Sequence, residues 1–351
     1  MKNFLKDTKT RSMQLLRSNV TPAFTLLTLL ASGSVEAGGG KSSKTLPEEY
    51  LSTGEQATAL ANGGSLSSGG YSAVRANPAM LAADKQYTMG GGYHWPTKGR
   101  DYFQAGIVDA KTASVAMGLS YTSALNDYQG SWDKDGRVML GDSPVKRRIN
   151  LAAAHPFNTF SLGVSGGFVE ASDPAVTFSQ DTDRVRGVVF GAGLVAGLTP
   201  TLKVGFSAEN LANKKIAFAA PTIYRGGLVW GAAKDFSVFV DLRSREKITA
   251  LESSPPNMGL FSQGSTSQND VGLENSASVG GLVRVYDLLR LSLATGVSKQ
   301  ENGIESDVVT TAAGGVALVN KSMTFAYGGQ RTDLRSSLIH HSLSLSVNVA
   351  L

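Results

Sequence analysis

The sequence predicts an all-β protein, namely a transmembrane antiparallel up-and-down β-barrel of about 14 strands. Three observations lead to this fold class. The N-terminus has the anatomy of a secretory signal. From about residue 85 onward, apolar and small or polar residues alternate with a period of two. Short and long connections alternate between the segments that carry this pattern.

Residues 1–37 are predicted to be a secretory signal peptide. An apolar run at 20–31 follows a basic region and leads to small residues at Val35-Glu36-Ala37, an acceptable cleavage site. The run is too short for a membrane-spanning helix, which needs roughly 20 residues. Ala31-Ser32-Gly33 offers another cleavage site, and the alternative is a short anchor or a buried helix. The basic region consists of Lys2, Lys6, Lys9, Arg11 and Arg17.

Charge and cysteine usage exclude several classes of protein. The first 37 residues carry five basic and two acidic side chains, so the formal net charge of +5 falls to +2 without them. The basic balance is therefore poor evidence for a nucleic-acid partner, and none is expected. The chain has no cysteine. This excludes a disulfide framework, a cysteine metal site and a lipid anchor on an N-terminal cysteine.

The strand prediction for the barrel, residues 85–351, rests on the period-two pattern. In the last strand Leu343, Leu345 and Val347 alternate with serines, and strand geometry puts the two sets on opposite faces. The predicted strands are 86–94, 101–108, 113–122, 147–155, 159–169, 185–197, 201–209, 222–233, 235–243, 276–286, 289–298, 308–319, 322–331 and 338–351.

The connections between these strands give independent support. Every second connection is a short turn, whereas most of the others are longer and polar, which is typical of outer-membrane barrels. A soluble β-sandwich or propeller is the alternative. It is disfavoured because the strands have bilayer-crossing length and because their second face is Ser, Gly, Ala, Asn and Arg. The longer predicted loops are 123–146, 170–184, 210–221, 244–275 and 299–307.

Residues 38–84 precede the barrel and are predicted to form a linker followed by a compact segment. The stretch 38–47, GGGKSSKTLP, has the composition of a flexible linker. Glycine pairs farther on permit tight turns. Asn77-Pro78 restricts Asn77 to an extended or turn conformation, and Pro78 suits the first position of a helical turn. A Gly-rich, small-residue segment of this kind is suited to folding inside a lumen.

Two short motifs in this segment resemble a known family. Ser72-Ala73-Val74 followed by Asn77-Pro78-Ala79-Met80-Leu81-Ala82 is similar to the signature of the long-chain fatty-acid transporter-like outer-membrane barrels. Related barrels of type IX secretion share this pattern. The resemblance implies a 14-stranded barrel whose N-terminal hatch plugs the lumen, with hydrophobic molecules leaving sideways through the wall. It assigns a hatch role to Asn77, Pro78 and Ala79, for which the alternative is an ordinary turn.

Charged residues on the predicted strands are expected to face inward, because charge on the lipid face is costly near mid-membrane. Such residues either bind or pass anions and amphiphile headgroups, or form salt bridges that brace the hatch and the wall. The lumen-facing candidates are Arg148, Arg186, Arg225, Arg243, Arg284, Arg290, Asp241 and Glu209.

The sequence predicts no catalytic residue, cofactor or metal site. The four histidines lie outside any zinc-binding helix motif, although a Ser–His–acid site is recognised by geometry and is not excluded by spacing. An outer-membrane enzyme therefore remains a third hypothesis. His94 is interpreted as an interfacial residue near an external loop, and His340 as lying at the external end of the last strand.

The predicted function is uptake or passage of hydrophobic or amphipathic small molecules through a hatch-plugged lumen in the outer membrane of a Gram-negative-type bacterium. The alternative is a structural or secretion-associated barrel that binds partner proteins. The expected partners are outer-membrane lipid, a hydrophobic or amphipathic ligand, and the barrel assembly machinery that reads the final strand.

Overall fold

The computed structural model describes the barrel strands, most of their connections and part of the segment before them. The described residues lie in the compact unit Gly40–Leu351. The predicted signal peptide and linker lie outside them. The described residues are 65–66, 69–83, 85–97, 101–125, 131–132, 138–139, 145–172, 184–212, 216, 220–233, 236–249, 270–285, 288–302, 305–320, 322–332 and 338–349.

Fourteen antiparallel strands form a closed barrel, which confirms the predicted fold. Neighbours along the chain pair with one another, and β1 pairs with β16 to close the wall. Between β3 and β6, the strands β4 and β5 form a separate two-stranded sheet. The strands are β1 Tyr87–Pro96, β2 Tyr102–Asp109, β3 Ala116–Ala124, β4 Ser131–Trp132, β5 Val138–Met139, β6 Val145–Pro156, β7 Phe160–Ser172, β8 Arg184–Thr199, β9 Leu202–Leu211, β10 Ile223–Ala233, β11 Phe236–Thr249, β12 Asp270–Val285, β13 Leu289–Asn302, β14 Glu305–Val319, β15 Met323–Thr332 and β16 Leu338–Val349.

The largest difference from the predicted strands concerns β11 and β12. Their ladder continues to the pair Thr249 and Asp270, whereas the sequence predicts a loop over 244–275. A tilted strand crosses the bilayer in about 9–11 residues, so part of these 14- and 16-residue strands extends beyond it. On β11 the extension begins with three polar residues in succession, Ser244, Arg245 and Glu246. This stretch of β11 lacks the alternation on which the prediction relied.

The two faces of the wall differ in polarity. On β3, Met117 and Leu119 are 60% and 40% exposed, and they alternate with buried Ala116, Ser120 and Thr122. The same alternation recurs around the barrel, so the outer face is apolar and the inner face is small or polar. An apolar outer band is the surface that lipid requires. Within the described part of the chain, no helix has the length and apolarity of a membrane span.

Aromatic side chains form clusters at both ends of the barrel. At the end that carries the longer loops, hereafter the long-loop end, Trp95 stacks on His341 with ring centroids 5.5 Å apart. At the opposite, short-turn end, Phe157 stacks on Phe160 at 4.5 Å. Aromatic girdles at both interfaces are typical of membrane barrels. Tyr102, the first residue of β2, is instead buried.

The segment before β1 lies against the inner face of the wall. Residues 69–83, hereafter the inner segment, consist of a 3-10 turn at Gly70–Ser72, the short helix α1 at Ala73–Ala76, and a second 3-10 turn at Pro78–Ala82. Its apolar residues, among them Tyr71, Val74 and Leu81, form one buried cluster with inward-facing residues of the wall. The main cluster of buried apolar side chains is thus the junction between the inner segment and the wall.

Candidate functional site in the barrel lumen

The Asn77-Pro78-Ala79 turn packs directly on two glycines of the wall. Asn77 is extended, with φ −158°, and its Oδ1 accepts a hydrogen bond from the Ala79 N–H at 3.2 Å. A Cβ atom at Gly193 would lie 2.1 Å from Asn77 Oδ1, and one at Gly163 would lie 2.3 Å from Ala79 N. Real atoms do not approach so closely, so the contact requires glycine at both wall positions.

Hydrogen bonds from the wall tie down the inner segment and the residues before it. Ser207 Oγ donates to the Ala76 carbonyl at 2.9 Å, and Ser161 Oγ donates to the Ala79 carbonyl at 3.0 Å. Before the inner segment, Ser65 donates to the Asp241 carboxylate through its N–H at 2.9 Å and its hydroxyl at 2.6 Å. Strands β7, β9 and β11 therefore all supply polar groups to this part of the chain.

Glu209 is the centre of a buried ionic cluster that joins the inner segment to the wall. Its carboxylate pairs with Arg75 of the inner segment, with Arg225 at 2.7 Å and with Arg148 at 3.3 Å. Arg148 also donates to Asn210 Oδ1 at 2.7 Å. All four ionic side chains are buried. These residues are called the Glu209 cluster below.

A β-bulge explains why Glu209 and Asn210, which are adjacent in the chain, are both buried. Ala192 pairs with Ala208, but Phe190 pairs with Leu211, so β9 contains one extra residue at this point. Asn210 has φ +60°, in the left-handed region that Asn tolerates better than most residues. Bulges re-aim side chains in this way. Strand alternation alone would have put one of the two residues on the lipid face.

Further charges lie beside this cluster on the inner faces of β11 and β12. Arg225 is directly opposite Arg243, and Arg245 pairs with Glu274 at 3.8 Å. Asp241 is buried, and its carboxylate accepts a hydrogen bond from the Ser65 hydroxyl. Sequence alternation had identified Arg148, Arg225, Arg243, Asp241 and Glu209 as inward-facing, and the structure brings these five to one side of the lumen. It adds Arg75, which strand alternation does not identify because Arg75 lies before the first strand.

The remaining three candidates lie elsewhere. Arg284 and Arg290 are direct cross-strand partners near the short-turn end, on the same faces of β12 and β13 as Gly280 and Ala294. The prediction for Arg186 is wrong. It shares a face of β8 with the exposed Val188, and its side chain is 59% exposed as it pairs with Glu170 at 3.3 Å. Arg186 lies near the long-loop end, where charge on the outer face costs little.

An uncharged polar patch covers the opposite wall, on β1, β2, β15 and β16. It consists of His94, Gln104, Gln330, Ser342 and Ser344, all buried, and it is called the His94 patch below. His340, directly opposite Gln330, borders it. The prediction of His94 as an interfacial residue is therefore wrong. His94 shares the inner face of β1 with Gly92, whose Cβ would lie 3.5 Å from the Tyr71 hydroxyl.

A shallow apolar groove of about 400 Å³ lies on the outer face of β2, β3, β6 and β7. Met117, Leu119, Leu151 and Val164 contribute to its lining, and it reaches Gly118. On the inner side of that glycine, a Cβ would lie 2.6 Å from Val74 of the inner segment. At this point the wall between the outer groove and the inner segment is the backbone alone.

These features define the class of the protein. A closed antiparallel barrel with an apolar outer face, a polar inner face and aromatic residues at both ends is a transmembrane barrel of the outer-membrane type. This places the chain in the outer membrane of a Gram-negative-type bacterium.

Solved structures give a more specific likeness. The Ralstonia pickettii toluene transporter TbuX matches with a TM-score of 0.55 and 14% identity, over 85% of this chain and 98% of that one. The CymD monoaromatic hydrocarbon channel matches with a TM-score of 0.59 and 13% identity, over 86% and 98%. A Pseudomonas aeruginosa FadL homologue matches with a TM-score of 0.53 and 13% identity, over 87% and 98%. No family model and no curated protein matches the chain. The likeness is one of fold, and it agrees with the resemblance drawn from the residues.

Proposed function

We propose that this barrel passes hydrophobic or amphipathic small molecules across the outer membrane, and that the inner segment is its hatch. The observation that carries the proposal is the attachment of the inner segment to the wall. It is held by Ser161, Ser207 and the Glu209 cluster, and it packs on glycines. In this proposal, a solute that moves along the lumen passes this segment. Toluene and other monoaromatic hydrocarbons are the solutes named for the similar barrels.

The outer groove supports a sideways route for such a solute. A hydrocarbon leaving the lumen beside Val74 and Leu81 has only the backbone around Gly118 between it and the groove. Apolar solutes prefer the lipid at the mouth of the groove to the aqueous space below the barrel. The ladder between β3 and β6 is continuous over the described residues, so this route requires a local opening of that ladder when solute passes.

The proposal gives the Glu209 cluster a structural role. The charges of the Glu209 cluster are engaged with one another. That arrangement suits bracing of the hatch, which is the second of the two roles considered for the inward charges.

A reversible crosslink between hatch and wall tests the proposal. The chain has no cysteine, so Ala76→Cys with Ser207→Cys introduces one pair at a contact where Ser207 Oγ lies 2.9 Å from the Ala76 carbonyl. We expect the oxidised protein, reconstituted in vesicles, to lose most toluene uptake and to regain it on reduction. Thr324→Cys with Ser346→Cys is the matched control, because this cross-strand pair lies within the wall.

Equal uptake by the oxidised and reduced hatch variants would overturn the hatch role. If the wild-type barrel also took up no aromatic solute, the transport proposal itself would fail. The alternative function, a structural or secretion-associated barrel, is favoured by the extensive ionic bracing of the inner segment. It would then be supported by partner proteins that crosslink to the barrel in intact outer membranes.

A further inference from the structure

The His94 patch places polar side chains in adjacent rows on the inner wall. Gly92 on β1 is directly opposite Gln104 on β2 and Ser344 on β16. In the next row toward the long-loop end, His94 is opposite Ser342. Directly opposite positions on antiparallel strands are about 4.5–5.5 Å apart, so these side chains form one continuous surface.

Gln330 extends this surface along β15 and β16. It is directly opposite His340, two residues before Ser342 on β16. Ser342 itself is opposite Gly328, and Ser344 is opposite Ala326. Small residues thus alternate with the polar ones across the patch.

Several polar atoms of the patch lack hydrogen-bond partners among the described residues. His94 is 5% exposed, and Gln104 and Gln330 are each 1% exposed. Within the part of the chain that the structure describes, neither ring nitrogen of His94 and neither amide atom of Gln330 has a hydrogen-bond partner. Gln104 Oε1 likewise accepts no hydrogen bond from these residues. The Ser344 hydroxyl also has no hydrogen-bond partner among the described residues. Folded proteins leave few buried polar groups in this state.

The chemistry of the patch indicates what binds there. A glutamine amide both donates and accepts, a serine hydroxyl does the same, and a neutral imidazole has one donor and one acceptor nitrogen. A hydroxyl group, which also donates and accepts, matches such a mixed set. Among the described residues, the patch contains no arginine that would pair with a carboxylate, and the arginines of the Glu209 cluster lie on α1, β6 and β10.

The inner segment supplies an apolar neighbour to the patch. A Cβ at Gly90, one row below Gly92 on the same face, would lie 2.6 Å from the Tyr71 ring, and one at Gly92 would lie 3.5 Å from the Tyr71 hydroxyl. Tyr71 belongs to the buried apolar cluster. A molecule with a hydroxyl on the patch can therefore rest its hydrocarbon part beside this ring.

We propose that the His94 patch is a binding subsite for the hydroxyl group of an uncharged amphiphile, an aromatic or aliphatic alcohol or a phenol. This inference rests on the proposed function, which brings the solute into the lumen. It adds the chemical class of the solute that binds there. A purely apolar hydrocarbon gains nothing from these side chains, whereas the matching alcohol satisfies them.

Binding to the full-length barrel in nanodiscs tests the subsite, with benzyl alcohol, toluene and benzoate as probes that share one ring. The double variant Gln104→Met with Gln330→Met keeps side-chain size while removing both amides. We expect it to weaken benzyl alcohol binding by about tenfold, the loss that about one net hydrogen bond accounts for, and to leave toluene binding unchanged. Ser292→Ala is the control, since it removes a buried hydroxyl from the inner face of β13, which β14 separates from the strands of the patch.

The binding results for the three probes distinguish the proposed subsite from its alternatives. Equal loss of toluene and benzyl alcohol binding would overturn the subsite, and so would no loss of either, which would leave ordered water as the occupant. Preferential binding of benzoate would overturn the uncharged class. Ser344→Ala, a smaller change with the same expected direction, serves if the double variant does not fold. Patch-dependent alcohol binding without any vesicle uptake would sink the transport proposal while leaving the subsite standing.

Discussion

The two walls of the lumen bury polar groups in opposite ways. On one wall, Arg75, Arg148 and Arg225 share the carboxylate of Glu209, and Asn210 receives a further hydrogen bond from Arg148. On the other wall, His94, Gln104 and Gln330 are as deeply buried, yet polar atoms of each lack a partner among the described residues. The side chains of the two walls are equally buried, but those of the Glu209 cluster have ionic and hydrogen-bond partners that these atoms of the His94 patch lack among the described residues.

This difference indicates that the first wall maintains the structure and that the second is available for a ligand. Removing one member of a satisfied ionic network leaves the others buried without compensation, which costs far more than the network itself contributes. Removing a group that has no partner costs little, because nothing is left unpaired. The Glu209 cluster is therefore expected to be sensitive to substitution, and the His94 patch tolerant of it.

The largest effect is expected for Glu209→Gln. The substitution keeps the size of the side chain but removes the single carboxylate that three buried guanidiniums share. We expect the free energy of unfolding to fall by about 3–5 kcal/mol, the range for breaking a buried ion pair on one side. Reversible urea unfolding in lipid vesicles, followed by tryptophan fluorescence, measures it.

Arg186→Gln is the matched control for this prediction. It breaks the Arg186–Glu170 pair, in which the arginine is largely exposed, so a change within about 1 kcal/mol is expected. If both variants unfolded at the same urea concentration, the Glu209 cluster would not brace the barrel, and the contrast between the two walls would disappear.

An intermediate effect is expected for Gly193→Ala, which acts on the contact between wall and inner segment. The added methyl group would lie 2.1 Å from Asn77 Oδ1, so the Asn77-Pro78 turn has to move away from β8. We expect a loss of about 1–3 kcal/mol, as for other overpacked sites, together with faster proteolysis of the inner segment in the folded barrel.

Gly231→Ala is the control for the glycine contact, because the nearest atom to its Cβ would be 3.8 Å away. It adds the same methyl group to a barrel strand without a clash. Proteolysis at an unchanged rate in Gly193→Ala would mean that the inner segment is not seated on this glycine as the structure describes.

The sequence predicted the barrel well because lipid imposes a period of two on every crossing strand, as Met117 and Leu119 show on β3. It failed where that constraint ends. Beyond residue 243, β11 begins with the polar residues Ser244, Arg245, Glu246 and Lys247 and shows no apolar alternation there, and Arg186 lies where outward charge costs little. The pairing of Arg75 with Glu209 depends on the placement of the inner segment and on the bulge in β9. Strand alternation carries no information on the placement or on the bulge.

The same reasoning explains why the His94 patch was not predicted. Alternation assigns His94 and Gln330 to a face, but it does not tell whether a polar residue on that face has a partner. The motif Asn77-Pro78-Ala79 was found because it is local, whereas the patch is assembled from two pairs of strands, β1 with β2 and β15 with β16, that are more than 200 residues apart in the chain.

The smallest effect is expected for Gln104→Met measured on the ligand-free barrel. The Gln104 side chain is buried with no hydrogen bond to its Oε1 from the described residues, so a methionine of similar size removes a desolvated acceptor and breaks no bond to it. We expect the free energy of unfolding to stay within about 0.5 kcal/mol of the wild type or to rise slightly. Urea unfolding beside Glu209→Gln checks this. A loss as large as that of Glu209→Gln would show that Gln104 belongs to a satisfied network, and the two walls would then be stabilised alike.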